Sequence, residues 1–203
     1  MEKRNVSIAL SIIIIILEII ALIVCYNSFG INLAYYTIES NIFLLISTIL
    51  YLITINNVPK IVQLLKYSST LSVFITFLVV VFVLYPMYDF NFQFMFLDGP
   101  NLYMHVLCPV LAIISFIFFD SNEIENSLKN NLRSLYFTII YAIILISLNI
   151  LNVVSGPYPF LKVNQQSPLM SLFWIVLILG GALILSKALL FLKDMNNILY
   201  NSK

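Results

Sequence analysis

Charge is scarce in this sequence. Only 9% of its 203 residues are Asp, Glu, Lys or Arg, where water-soluble domains carry roughly 25%. So few charges cannot cover a water-exposed surface, which excludes an ordinary soluble domain. The net charge of +1 leaves no electrostatic footprint for nucleic acid. Cys25 and Cys108 show no paired spacing, so neither a disulfide framework nor a zinc site is expected. One histidine and scattered carboxylates do not make a multi-ligand metal site. G-x-S-x-G, phosphate-loop, H-E-x-x-H and C-x-x-C patterns are all missing, and nothing points to haem, flavin, nucleotide or another cofactor. There is no internal repeat and no strict alternation of the kind a membrane barrel strand needs.

Apolar residues fill the space. They make up 62% of the chain, and mean hydropathy is +1.03. A helix needs about 20 mainly apolar residues to cross a hydrocarbon core, and its backbone groups must be satisfied within the segment. Runs of that length occur at about 7–26, 37–55, 67–86, 102–119, 134–153 and 169–192. Their flanks are punctuated by Asn27 to Gly30, Asn56-Asn57-Val58-Pro59, Asp98-Gly99-Pro100, Asp120 to Asn131, and Gly156-Pro157. The expected architecture is all-α: a single bundle of six transmembrane helices covering residues 1–203, with no soluble domain. Lys3 and Arg4 precede the first run as in a signal peptide. That run is too long for a signal h-region and lacks an A-x-A-like site, so it reads as a retained helix.

Orientation follows from the basic residues. Lys3, Arg4, Lys60, Lys66, Lys129, Arg133, Lys187, Lys193 and Lys203 fall on one side, and Lys162 alone on the other. The first side, with both termini, is expected to be cytoplasmic. Tyr26, Tyr35, Tyr36, Tyr85, Tyr88, Tyr103 and Tyr158 read as an aromatic belt opposite.

Polar groups within a membrane are costly and default to functional hypotheses. Glu18 lies inside the first run; it either pairs with another helix or is protonated and packed. The second run opens Tyr36-Thr37-Ile38-Glu39-Ser40-Asn41, and the fourth Tyr103-Met104-His105 with Pro109 four residues on. By the expected topology, these two openings lie at or beyond the outer interface and converge on one layer. Thr37 reads either as a helix N-cap, with Glu39 complementing the helix dipole, or as a nucleophile needing a base. Ser40 and Asn41 share its helix face; Asn41 could donate to an oxyanion or bond a neighbouring helix. His105, the only histidine, is either a structural hydrogen-bonding residue or the proton carrier near neutral pH. Pro109 deprives the His105 carbonyl of its helical amide and loosens the turn. Asp98 reads as a solvated turn residue, close enough in sequence to orient His105.

These motifs, followed by Pro157-Tyr158-Pro159-Phe160 on a six-span chain, resemble the androgen-induced protein family and its bacterial relatives. The likeness covers essentially the whole chain in span count and motif order. Animal members are hydrolases of fatty acid esters of hydroxy fatty acids that use one intramembrane threonine and one histidine. The resemblance implies Thr37 as nucleophile and His105 as base, with membrane lipids or lipid esters as partners. Glu39-Ser40 stands where animal members are mainly apolar, so the substrate does not carry over. Two other classes stay open: a small transporter or channel, and a non-catalytic lipid-binding subunit. Halves inverted around broken helices, which would favour a transporter, are not evident.

Overall fold

The computed structural model describes residues 2–121 and 123–201; Lys203 lies outside them. All regular structure among the described residues is helical. Helix α1 spans Glu2–Phe29 and α2 Tyr36–Ile53. Helix α3 runs Lys60–Met87 and α4 Leu102–Phe119. Helices α5 (Leu128–Ser134) and α6 (Tyr136–Ile150) meet at a 46° bend, and α7 spans Pro168–Asn201. Five helices are long and apolar enough to cross a membrane alone, and the bent α5–α6 pair makes a sixth when its two helices are counted as one span. The chain is a multi-pass membrane protein. Both termini lie at the same end, where the Lys3 ammonium sits 3.8 Å from the Tyr200 ring centre.

The helices are not uniform. Val80–Leu84, Leu102–Leu107 and Ser115–Phe119 are wide π-type turns. Two of them run into proline: Pro86 follows the first and Pro109 the second. A proline cannot donate to the carbonyl four residues back, and a single wide turn absorbs the break, often where a site is built.

α3 is the central helix, touching α2, α4, α5, α6 and α7. Its buried face carries Ser68, Ser69, Thr70, Ser72 and Thr76, small residues that let membrane helices approach closely. Ser47 and Ser69 hydroxyls lie 2.6 Å apart, Ser40 and Thr76 3.0 Å apart, and the Lys66 ammonium donates to Thr48 Oγ1 at 2.7 Å. This antiparallel register between α2 and α3 sets Thr37 level with Val79. The end of α3 at Met87 therefore lies roughly 12 Å further on, at 1.5 Å per residue.

The α1 register agrees. Ser7 meets Tyr51, and Ala21 packs with Ile38, so Phe29 overshoots the start of α2 by a similar length. The start of α2 is thus sunk between longer neighbours. The apolar run it opens is simply shorter than those of α1 and α3.

Candidate functional site

α2 begins without a side-chain cap. Its N-cap is Tyr35, in an extended conformation, and Thr37 is already inside the first turn. The capping role expected for Thr37 is therefore not the one it plays. Its amide donates to the Tyr158 hydroxyl at 3.3 Å, and its own hydroxyl lies 3.3 Å from the same oxygen. Tyr158 comes from the α6–α7 connection, which folds back over the sunken helix start. Gly156 makes that fold-back possible: a Cβ there would sit 2.6 Å from the Leu161 backbone. Tyr158 stacks on Phe160 and meets Tyr35 edge-on. Tyr36 and Tyr158 are buried and so drop out of the expected aromatic belt. Tyr26, Tyr35 and Tyr88 are exposed as a belt requires.

Thr37 and Tyr158 stand in the wall of a narrow apolar crevice with about 80 Å³ of open space. Ile75 and Val79 of α3, Ala142 of α6, and Trp174, Ile178 and Leu179 of α7 form much of the remaining wall. α6 and α7 touch each other only sparsely, so the crevice occupies a lateral gap between them. Few polar groups face it. Thr138 is satisfied by Tyr36, whose hydroxyl is 2.7 Å away, whereas the buried Ser171 Oγ has no hydrogen-bond partner. A mostly apolar lining with a few placed hydroxyls has the character of a small-molecule site, and at this volume the walls must part to admit an acyl chain. Burial pushes the Tyr158 phenol above its ordinary range, against the hydrogen bonds from Thr37.

His105 stands on the other side of the α2 start. It is buried in the wide first turn of α4, and its Nδ1 lies 2.7 Å from the Met95 carbonyl. A carbonyl only accepts, so Nδ1 carries the proton and Nε2 is left as the basic nitrogen. His105 does not line the crevice.

The link between the two sides is Asn41. Its Nδ2 donates to the Thr37 carbonyl at 2.7 Å and to the Met104 carbonyl at 3.4 Å, joining the first turns of α2 and α4. Of its two expected roles, bonding the neighbouring helix is the one seen. Its Oδ1 is buried without a donor. Ser40 donates to the Thr37 carbonyl and meets Thr76. Glu39 is half-buried in the first turn of α2. Asp98 is exposed and accepts from Gln93 Nε2; the group that orients His105 is the Met95 carbonyl instead.

Sequence reasoning flagged Thr37, His105 and the Pro157-Tyr158-Pro159-Phe160 run, but not the pairing of Tyr158 with Thr37. The basic-residue pattern counts Lys66 and Lys193 among the charges of the cytoplasmic side, yet both are buried, with 1% and 3% of their surface exposed. The run of small hydroxyl residues after Lys66 was the available signal for the first of these. Among the described residues no group of three metal-ligating side chains is gathered. No protein-family model, curated protein or solved structure matches the chain.

Proposed function

We propose that the protein hydrolyses lipid esters within the membrane, with Thr37 as nucleophile. The observation that carries this reading is the Thr37 hydroxyl in the wall of an apolar crevice, beside the Tyr158 hydroxyl and at the start of a helix. An acyl chain would lie along Val79, Trp174 and Ile178, entering from lipid between α6 and α7. Its ester carbonyl would meet Thr37. The Ile38 and Glu39 amides are taken by the Tyr35 carbonyl, so the donors that would turn to a developing oxyanion are the Tyr158 hydroxyl and the Thr37 amide now bonded to it.

In the proposed reaction, Thr37 Oγ1 attacks the carbonyl carbon and its proton passes through water to His105 Nε2. The C–O bond to the leaving alkoxide then breaks, and His105 returns the proton to it through the same water. Water attacks the acyl-threonine, releasing the fatty acid and restoring Thr37. The Met95 carbonyl holds the imidazole in the tautomer this requires. The motif resemblance to the androgen-induced protein family supports the same two residues. The basic-residue distribution supports an orientation with both termini cytoplasmic.

A second reading is favoured by one observation: the partner of the Thr37 hydroxyl is Tyr158, not His105. In that reading the crevice binds an acyl chain without turning it over. Purified protein assayed against medium- and long-chain lipid esters, with Thr37→Ala and His105→Ala, separates the two. Turnover abolished by both substitutions supports the hydrolase. Saturable binding of a fluorescent fatty acid without ester turnover supports the carrier. Turnover that survives both substitutions overturns the assignment.

A further inference from the structure

Four buried ionisable groups take no part in the acyl site. Glu18, Lys66, Asp120 and Lys193 have between 0% and 5% of their surface exposed. They lie towards the end that carries both termini, apart from Glu18, which is deeper. At that end a polar vestibule is lined by Lys3, Arg4, Asn56 and Gln63 and reaches Ser7, Tyr51 and Asp120. Asp120 Oδ1 accepts from Ser7 at 2.8 Å and Ser115 at 2.7 Å, whereas its Oδ2 is buried with no donor. The Lys193 ammonium donates to the Asp120 and Phe116 carbonyls, both at 2.6 Å.

The next layer holds Lys66, bonded to Thr48 and lying in the fields of both Asp120 and Glu18. Beyond it the hydroxyls of Ser11 and Thr70 are buried without partners. Ser7, Ser11 and Glu18 share the buried face of α1. Glu18 ends the series: both carboxylate oxygens lack a hydrogen-bond partner, with the Cys108 thiol beside it. Ile14, Leu44 and Val73 pack below it and Ala21, Ile38 and Met104 above.

Unpartnered buried oxygens are rare, and each calls for a water, an ion or a function. Here Asp120 Oδ2, Ser11, Thr70 and Glu18 leave theirs in sequence along adjoining helices, starting from a polar vestibule. A carboxylate with no donor in an apolar layer demands a proton or a counter-ion, and the nearest cation, Lys66, does not touch it.

We propose that Glu18 is a proton-binding site inside the membrane, filled from the terminal-end vestibule through Asp120, Lys66 and bridging water. In one transfer the Lys66 ammonium gives a proton through water to the Glu18 carboxylate, forming the acid. The neutral amine is then reprotonated by hydronium of the acidic medium in the vestibule, which passes its proton by way of Asp120 and is left as water. The titratable groups facing this path are Cys108 at Glu18, Tyr51 and Lys193 at Asp120, and Lys3, Arg4 and Glu123 in the vestibule. The ligand is the proton, and this function is independent of ester hydrolysis.

Infrared difference spectroscopy of the full chain in phosphatidylcholine vesicles tests it. On stepping from mildly alkaline to mildly acidic buffer, the wild type should gain a carboxylic acid C=O band that shifts in D₂O. Glu18→Gln should lose that band. Lys66→Met and Asp120→Asn should keep it but exchange it for deuterium at least tenfold more slowly. The proposal is overturned if Glu18→Gln keeps the band, if the wild type lacks it at every pH, or if both path variants exchange as fast as the wild type. Should Glu18→Gln fail to fold, the path variants decide: loss of the band in Asp120→Asn would assign the proton to Asp120 and overturn the proposal.

Discussion

The Tyr158 hydroxyl oxygen lies 3.3 Å from both the amide nitrogen and the hydroxyl oxygen of Thr37. Residues 121 positions apart are thereby joined at the start of a sunken helix. Replacing Tyr158 with Phe keeps the stack on Phe160 and removes only this oxygen. A neutral hydrogen bond contributes about 1 kcal/mol, so Tyr158→Phe should lower the melting temperature by only a few degrees. If Tyr158 stabilises the oxyanion, ester turnover should nevertheless fall by about 10²–10³-fold in kcat, as when one such donor is lost. Melting curves and steady-state rates on the same preparation would show the contrast.

The same phenol gives a pH dependence with a defined sign. Burial raises it above its ordinary value of 10.0, so the folded chain keeps its proton where the unfolded chain has lost it. Its contribution to stability is constant at neutral pH and declines as pH rises past about 10. Thermal melts in alkaline buffers should show that decline in the wild type and a smaller one in Tyr158→Phe.

Gly156 holds the loop that delivers Tyr158. A Cβ there would meet the Leu161 backbone at 2.6 Å, and such overpacking costs roughly 1–3 kcal/mol. Gly156→Ala should therefore lower stability and weaken probe labelling of Thr37 together. Gly181→Ala is the control: a Cβ there meets nothing within 4 Å in mid-helix. That change should be neutral or stabilising by up to ~1 kcal/mol. Equal melting temperatures for the two variants would remove the role given to the loop.

Much of this arrangement was legible in the sequence. The all-helical membrane fold follows from hydropathy, because lipid leaves so few alternatives. The fifth span shows its weakness: hydropathy sees one run over 134–153, but the chain bends at Leu135 between α5 and α6. The depth of Thr37 was hidden as well. It depends on the register of α2 against α1 and α3, set by hydroxyl pairs such as Ser47–Ser69 that hydropathy does not weigh. The meeting of Thr37 with Tyr158 is a long-range contact that no local periodicity records.

The crevice should set chain length. Ile178 and Leu179 line it along α7, so Ile178→Trp should shorten the longest acyl chain accepted while sparing short esters. Rates across a homologous series of esters would reveal the new cut-off, and an unchanged profile would place the chain elsewhere.

Orientation is open to a direct check. Cysteines placed singly at Asp98 and Asn164 should be tagged by an impermeant reagent from outside intact cells, and one at Asn126 only after the membrane is opened. All three positions are exposed. Tagging of Asp98 from the cytoplasmic side alone would reverse the orientation.

The central claim is that the Thr37 hydroxyl attacks an acyl carbonyl. It is tested most directly by trapping purified protein with a long-chain lipid ester or a fluorophosphonate and mapping the adduct by mass spectrometry. The account predicts one adduct, on Thr37, absent from Thr37→Ala and strongly reduced in His105→Ala. The His105 loss should be about 10²-fold or more, since a positioned base contributes that much. An adduct on any other residue, or one formed equally well by Thr37→Ala, would contradict it.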